Sequence, residues 1–447
     1  MYKKIIDKLL DAYNRKIISI AFPAILSMFF IVFYELIDSY WLNKLGYEEV
    51  FSSLGAASFI TWSLYSLMHL VTAGVNSLVS QYSGAKNKEK YHLISFNGYF
   101  AGFFLSLGIT LIMAYFYKDI FILSGLKNKI LEDACSYFSI MNAGFLVIFL
   151  LSINTSIFNS HGDTKTSMKI QISTLLFNAI IDPVFILGFW KIPSFGIKGA
   201  AIASILCQFI GLTIGIIILI KKDYISKNFK KPDLYIIKKI FLIGLPIAVI
   251  NWIFSMVFPA LTFIIQKTGN PNALGALNIC HKLEGFAYFS ATGFSVAACT
   301  LAGQSIGQNN KNKAQKYVNR SVILCTIVTG FLSLIYFFIP EYILSIIVDS
   351  PKLIEEGANY LRAIAVFEIF LGFEIVYEGG FTGLGKTITP MLISVPLTLA
   401  RIPFAYFFAV YLELGVVPIW WVISLSTFFK GLFILILFKK QNMVRPI

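Results

Sequence analysis

Apolar residues in this chain arrive in twelve long runs separated by short polar gaps, and that pattern constrains the fold more than any other feature. The runs cover 17–42, 51–80, 93–117, 131–159, 169–189, 197–220, 240–266, 272–305, 318–339, 353–383, 390–411 and 415–438. A helix crossing the hydrocarbon core of a bilayer needs roughly 20 apolar residues, and every run meets that length. Several are longer, which predicts tilt or extension beyond the core. With 57% of residues hydrophobic, the apolar inventory is about what twelve such helices need. Only 13% are charged, about half the soluble norm of roughly 25%. Soluble globular, coiled-coil and disordered chains are excluded. The expected fold is an all-α membrane protein with twelve transmembrane helices.

The charge pattern sets the orientation. The chain carries a formal net charge of +14, but its Lys and Arg residues stand in short clusters between apolar runs. That distribution reads as a topology signal, and nucleic acid is not an expected partner. With a cytoplasmic N-terminus, and with Lys169, Lys198 and Arg320 near span edges counted with the adjoining segments, inside segments hold 25 Lys and Arg against 8 in the outside loops, the other four lying deeper within spans. The positive-inside rule then places both termini in the cytoplasm. Residues 1–16, MYKKIIDKLLDAYNRK, are basic and amphipathic and lack the small-residue cleavage site of a signal peptide. They are expected to form a cytoplasmic surface segment. The five cysteines lie in apolar stretches without CxxC spacing and read as small core residues. The four histidines are scattered, so no metal box and no cofactor are expected.

Aligned to itself, the chain repeats at an offset of 223 residues. Pro23 meets Pro246. Gln81, Gly84, Lys88 and Lys90 meet Gln304, Gly307, Lys311 and Lys313. Phe158, Gly162, Thr164, Thr166 and Met168 meet Phe381, Gly385, Thr387, Thr389 and Met391. Three separate clusters without a shift imply duplication. The expected domains are a first lobe over 17–220, a basic cytoplasmic linker over 221–239 and a second lobe over 240–447. Because six helices per half is an even number, both halves enter the bilayer from the same side. The pseudo-twofold axis between the two six-helix bundles is therefore expected along the membrane normal. Two such bundles can rock to expose a cleft to either side, which favours transport over a static scaffold.

Acids deep in a span cost about 2.5–3.5 kcal/mol each by insertion scales and must face protein or water. The first half has three: Glu35, Asp38 and Asp182. Asn178 precedes Asp182 by one helical turn and shares its face. Pro183 frees the carbonyl of Ala179. Two carboxylates, an amide and a free carbonyl suit a proton or a small cation such as Na⁺, with Asp38, Asn178 and Asp182 as its ligands. Glu35 is a second candidate carrier, and Ser204 in GAAIAS a further oxygen ligand. At the 223 offset Asp38 meets Leu261, Asn178 meets Arg401 and Asp182 meets Ala405, so this site is not duplicated. The second half instead carries Lys282, Glu284, Glu368, Glu374, Glu378 and Arg401. Pairing of Arg401 with Glu374 or Glu378 is expected, the alternative being that they line a substrate cavity. Tyr34, Asn154, Glu374 and Arg401 are the cavity candidates. Pro23 and Pro246 each sit early in the first span of a half and predict bends, with Pro23 as a candidate hinge.

Several segments resemble the multidrug and toxic compound extrusion (MATE) family. FPAILSMFFIVFYELIDSYWLNKLG is similar to its first helix and SLVSQYSGAKNKEK to its second-to-third helix loop. FNSHGDTKTSM, FNAIIDPVFILGF and GIKGAAIAS resemble its fourth-to-sixth helix region. IGLPIAV, GQSIGQNNKNKAQ and FTGLGKTITPM are the second-half copies. The resemblance covers most of residues 15–440. It implies a twelve-helix secondary antiporter that exports bulky, often cationic compounds against inward H⁺ or Na⁺. By motif, Asp38 falls on the family's first-helix acid, Asn178 and Asp182 on the fifth-helix amide and acid of the N-lobe cation site, and Ser204 near a sixth-helix hydroxyl. Pro23 falls on the first-helix proline linked to bending. Two departures stand out. Glu35 replaces an expected Asn or Gln. The seventh-helix acid of some branches is missing, and their tenth-helix Asp position reads nearest to Leu371.

The expected function is a cation-coupled multidrug antiporter in a prokaryotic inner membrane, monomeric, without enzymatic activity, whose partners are small-molecule substrates and the lipid bilayer. The main alternative is a lipid-linked oligosaccharide or polysaccharide flippase, which needs a strongly cationic cleft to hold pyrophosphate. An integral-membrane enzyme would need a metal-binding aspartate motif or a His/Ser pair, and the sequence shows neither.

Overall fold

A computed structural model describes residues 11–45, 49–227 and 231–440. The expected amphipathic segment over 1–16 lies mostly outside the described residues. Each of the twelve apolar runs is helical, and the described residues hold no strand beyond one isolated bridge, Phe189 to Ile192. In chain order the helices of the first half are α1 (Ala12–Asn43), α2 (Glu49–Leu67), α3 (His69–Gly84), α4 (Lys88–Leu123), α5 (Asn128–Ala143), α6 (Phe145–Ser160), α7 (Thr164–Ile186) and α8 (Ile197–Lys221). Those of the second half are α9 (Leu234–Lys267), α10 (Pro271–Gly307), α11 (Lys311–Phe338), the short α12 (Pro340–Ser345), α13 (Pro351–Ala365), α14 (Glu368–Gly383), α15 (Ile388–Leu399), α16 (Arg401–Tyr406) with a π-helical turn to Tyr411, and α17 (Val417–Lys440).

Among the described residues, ten segments are long and apolar enough to cross a bilayer, and the pair α5–α6 makes an eleventh if its two parts form one span. That pair bends by 51°. The joint is Gly144, where a Cβ would lie 2.3 Å from Cδ1 of Ile205. The remaining run, 353–383, breaks between α13 and α14. A helix break in a membrane frees carbonyls that water cannot reach, and neighbouring hydroxyls must satisfy them. Ser333 donates to the carbonyl of Ala365, and Ser424 to that of Ala363 at 2.6 Å.

Local geometry repeats at the same 223-residue offset as the sequence. Lys86 and Asn309 both have φ of +56°, a left-handed turn that ends α3 and α10. Asn87 and Asn310 then cap the next helices, accepting from Lys90 N at 3.1 Å and Lys313 N at 2.9 Å. Gly162 (φ +78°) and Gly385 (φ +71°) make equivalent turns, where a side chain would be strained.

Two compact units emerge, and their borders fall inside helices. One unit is residues 26–245, the other 1–25 with 246–447. The core of the 26–245 unit is aromatic-rich, with Phe121, Phe138, Phe145, Phe149 and Phe158 all buried. Ile240 and Ile243, from the start of α9, belong to this core. Asp233, just before α9, donates its N–H to Asn97 Oδ1 of α4 at 2.8 Å. The other unit has two apolar clusters. One gathers Ile17, Ile20 and Ala21 from the start of α1 with Ala291, Phe294, Ala297 and Ala298 of α10. The second surrounds Trp420, Tyr360 and Leu361. Asp11 pairs with Arg320 of α11, and Tyr13 packs on Tyr317 with ring centroids 4.9 Å apart.

The start of each half's first helix is thus built into the core of the other half's helices. Glycines permit the approach. A Cβ at Gly244 in α9 would lie 2.0 Å from the Leu70 carbonyl oxygen, and one at Gly293 in α10 would lie 2.9 Å from Ile25 N and 3.0 Å from the Ala21 carbonyl oxygen. Subtracting 223 maps Gly244 to Ala21 and Gly293 to Leu70. The same contact occurs in both units, with its glycine on opposite sides.

Candidate functional site

Three helices of the 26–245 unit bring the first-half polar residues together. α1 contributes Tyr34 and Asp38, α7 contributes Asn178 and Asp182, and α8 contributes Ser204. Asp38, Asn178, Asp182 and Ser204 are all buried, Asn178 and Asp182 completely. One turn apart on α7, Asn178 Nδ2 donates to Asp182 Oδ1 at 2.7 Å. Ser204 Oγ lies 3.4 Å from Asp38 Oδ2 and donates to it. Asp38 faces Asp182 and Asn178, and Tyr34 stands beside Asp38 and Ser204.

Among the described residues, four oxygens of this cluster have no hydrogen-bond partner: Tyr34 Oη, Asp38 Oδ1, Asn178 Oδ1 and Asp182 Oδ2. An unpaired buried polar atom costs roughly 1–3 kcal/mol, more when charged. A proton or small cation among these oxygens would relieve that cost. Among the described residues no Lys, Arg or His pairs with either aspartate. The described residues contain no group of three His, Cys, Asp or Glu arranged for a metal ion, so any Na⁺ would depend on amide and hydroxyl oxygens beside the two carboxylates. Pro183 stays inside α7, which continues to Ile186.

The side chain of Glu35 lies outside the described residues. Asn154 is buried within α6 packing: Tyr99 Oη donates to its Oδ1, and its Nδ2 donates to the Leu212 carbonyl at 3.1 Å. Its polar atoms are spent on holding α4, α6 and α8 together. Cys207, which reads in the sequence as packing, sits one turn beyond Ser204 and faces both aspartates. The spacing in GAAIASILC carries that signal.

In the second half the expected pairing of Arg401 with Glu374 or Glu378 does not occur. Arg401, at the start of α16, donates to Ser426 Oγ at 2.5 Å, Thr427 Oγ1 at 3.0 Å and the Ile423 carbonyl at 3.4 Å. Glu374 of α14 instead pairs with Lys430 of α17, Nζ to Oε1 at 2.8 Å, with both side chains buried. Ser394 Oγ lies 3.5 Å from the same oxygen. α17 packs along α14, so Lys430 reaches Glu374 first and Arg401 is left to the hydroxyls of α17. Lys282 is exposed.

Breaking a buried ion pair by removing one partner costs about 3–5 kcal/mol, whereas replacing both by apolar groups is often neutral. Lys430→Met should therefore destabilise the protein by about 3–5 kcal/mol, and Lys430→Met with Glu374→Met should restore most of it. Thermal unfolding in detergent measures this. A single variant that melts with the wild type would show the pair to be inert.

Further along α14 and α10, Glu284 accepts from Tyr360 Oη at 2.9 Å, and His281 Nδ1 lies 3.3 Å from the same Glu284 oxygen. Glu368 begins α14, is 2% exposed, and its Oε1 has no partner among the described residues. An unpaired ion there costs about 2.5–3.5 kcal/mol. A place in the first turn of a helix returns only about 0.3–1 kcal/mol.

A family model described as MatE matches residues 23–184 and 246–407. A curated relative, the probable multidrug resistance protein NorM of Thermotoga maritima, is 25% identical over 410 residues, covering 91% of this chain and 88% of that protein. A solved structure of MATE in the straight conformation aligns with a TM-score of 0.87 at 20% identity, covering 97% of both chains. A MOP superfamily transporter from Pyrococcus furiosus, described as having a binding pocket of reverse polarity that suggests a different function, aligns with a TM-score of 0.85 at 21% identity over 97% of both chains.

Proposed function

The chain belongs to the MatE family, and from that premise we propose that it exports amphipathic or cationic small molecules in exchange for inward H⁺ or Na⁺. It is an integral membrane protein of a transporter family. The observation that carries the coupled mechanism is the set of four buried oxygens around Asp38 and Asp182 that have neither a hydrogen-bond partner nor a basic neighbour among the described residues. A ligand shifts two access states only through its differential affinity for them. Two carboxylates that are loaded with cation in one state and released to the drug in the other supply that difference. Asp38, Asp182 and Asn178 hold the cation, Ser204 and Tyr34 complete the oxygen shell, and Pro23 lets α1 bend between states. Both termini face the cytoplasm of a prokaryotic cell, and the working unit is a monomer.

Engagement of the second-half cations favours this reading over the flippase. A pyrophosphate cleft needs free guanidinium or ammonium groups. Arg401 is held by Ser426 and Thr427, and Lys430 by Glu374.

Purified protein in vesicles loaded with a fluorescent cationic dye, under an imposed pH or Na⁺ gradient, tests the proposal. Efflux driven by one gradient and collapsed by its ionophore is expected, and it identifies the ion. Dye movement indifferent to both gradients would refute coupling.

A further inference from the structure

The unit formed by 1–25 and 246–447 carries, where α1 and α11 begin, a cationic patch that the exporter mechanism above does not use. It gathers Lys16 of α1, Lys311, Lys313, Lys316 and Arg320 of α11, and Lys386 from the turn before α15. Lys16 faces Lys313, and Lys386 faces Lys311. Tyr13 and Tyr317 pack together at its centre, with Lys316 Nζ 4.1 Å from the Tyr13 ring and Lys16 Nζ 5.9 Å from that of Tyr317. Acid is scarce here. Arg320 pairs with Asp11, and the sequence holds no Asp or Glu over 285–340, 379–412 or 414–447.

Membrane topology asks for positive charge at such helix ends, but it does not ask for this arrangement. The 26–245 unit meets the same demand with bases that are paired, Lys88 with Asp223 and Lys222 with Asp163. At the 223-residue offset, Lys316, Arg320 and Lys386 correspond to Leu93, Asn97 and Asp163. The patch therefore belongs to one half alone. Like charges held side by side repel, and an anion between them turns that cost into attraction.

The rest of α11 selects the anion. Lys316, Arg320, Ile323, Ile327, Phe331 and Leu334 recur every three or four residues, so they run down one helix face. The four apolar members are all exposed. From Ile323 to Leu334 this rail is roughly 16 Å long at 1.5 Å per residue, about one leaflet of a hydrocarbon core roughly 30 Å thick. A cationic head continuous with an apolar rail one leaflet long complements an amphiphile. A soluble phosphate would use the head and leave the rail idle.

We propose that this end of α11 binds an anionic phospholipid, with the phosphate between Lys16, Lys313 and Lys316 and an acyl chain along Ile323, Ile327, Phe331 and Leu334. Lys313 Nζ donates to Gln308 Oε1 at 2.9 Å, and an ammonium has two further protons to give. The bound headgroup ties the start of α1 to that of α11. Lipid occupancy is a property of the resting protein and does not rest on the exporter reading.

Native mass spectrometry of the delipidated protein in neutral detergent, titrated with phosphatidylglycerol, tests this. A saturable phosphatidylglycerol adduct is expected, with phosphatidylcholine much weaker. Lys16→Gln, Lys313→Gln and Lys316→Gln should each weaken the adduct roughly fivefold, the effect of one lysine at an anionic membrane surface. These side chains are exposed or half-buried, so the variants should fold. Lys165→Gln/Lys169→Gln/Lys221→Gln removes three exposed lysines of the 26–245 unit and should leave the adduct unchanged. Glycerol 3-phosphate, the same phosphate without chains, should not displace the lipid. Absence of the adduct overturns the proposal, as does phosphatidylcholine bound as tightly. So does an adduct that survives the three substitutions combined, or an equal loss in the control variant. Displacement by glycerol 3-phosphate overturns it in favour of a soluble phosphate. Failure of dye export in vesicles would leave these spectra unchanged, so the two readings fail separately.

Discussion

Replacing Asp38 or Asp182 with Asn is expected to reduce drug resistance in an efflux-deficient host to the level of an empty vector. The substitution keeps size and hydrogen-bonding capacity and removes only the exchangeable charge. At Asp182 the amide can still meet Asn178 across the 2.7 Å contact. At Asp38 it can still accept from Ser204. Folding should therefore survive, and removing an unpaired buried charge can even raise the melting temperature. Coupling should not survive. Driving a two-state equilibrium from about 1:99 to 99:1 needs roughly 5.5 kcal/mol of differential binding, and a neutral amide offers a proton or Na⁺ little of it. Minimum inhibitory concentrations, with membrane expression and size-exclusion profile as controls, give the measurement. Normal resistance in either variant would remove the cluster from the mechanism.

The second large effect concerns packing. Gly244→Val and Gly293→Val should each prevent accumulation of folded protein. At Gly244 the added Cβ meets the Leu70 carbonyl, and at Gly293 it meets the backbone of Ala21 and Ile25. Backbone on both sides cannot rotate aside, so the helices must separate. Overpacking costs about 1–3 kcal/mol even where side chains can shift. The helix-propensity gain on losing a glycine, about 0.5–1 kcal/mol, is too small to offset it. Gly108→Ala is the control, since nothing lies within 4 Å of its added Cβ. It should be neutral or slightly stabilising. Fluorescence-detected gel filtration of the three variants decides the matter, and wild-type yield from Gly244→Val would contradict the close approach.

What could be read from the chain alone divides along physical lines. Twelve helical positions were legible because burial in lipid demands uninterrupted apolar length, and every helix but the short α12 falls on those runs. Asp38, Asn178 and Asp182 were legible as candidates because polar groups in such runs are conspicuous. The structure gathers them into one buried cluster. Pairing in the second half was not legible. Whether Arg401 or Lys430 meets Glu374 depends on helix rotation and on which neighbour lies within reach, and hydropathy encodes neither. The break between α13 and α14 was hidden for a related reason. Ser333 and Ser424 cap its carbonyls from other helices, and in the sequence they are ordinary serines. Asn154 shows a further limit of the sequence: a buried amide reads the same whether it meets a ligand or ties α6 to α4 and α8, and its contacts are with Tyr99 and the Leu212 carbonyl.

The exchange of helix starts has a consequence for biosynthesis. When the ribosome has finished α8, the 26–245 unit still lacks residues 234–245, so an isolated N-terminal fragment ending in the 221–239 stretch should be degraded in the cell. Residues 11–25 are made first and wait for α10 and α11, their docking surface, until nearly three-quarters of the polypeptide has been translated. Maturation of either unit is therefore tied to late synthesis, and a cut between the halves is tolerated only when both pieces are produced together.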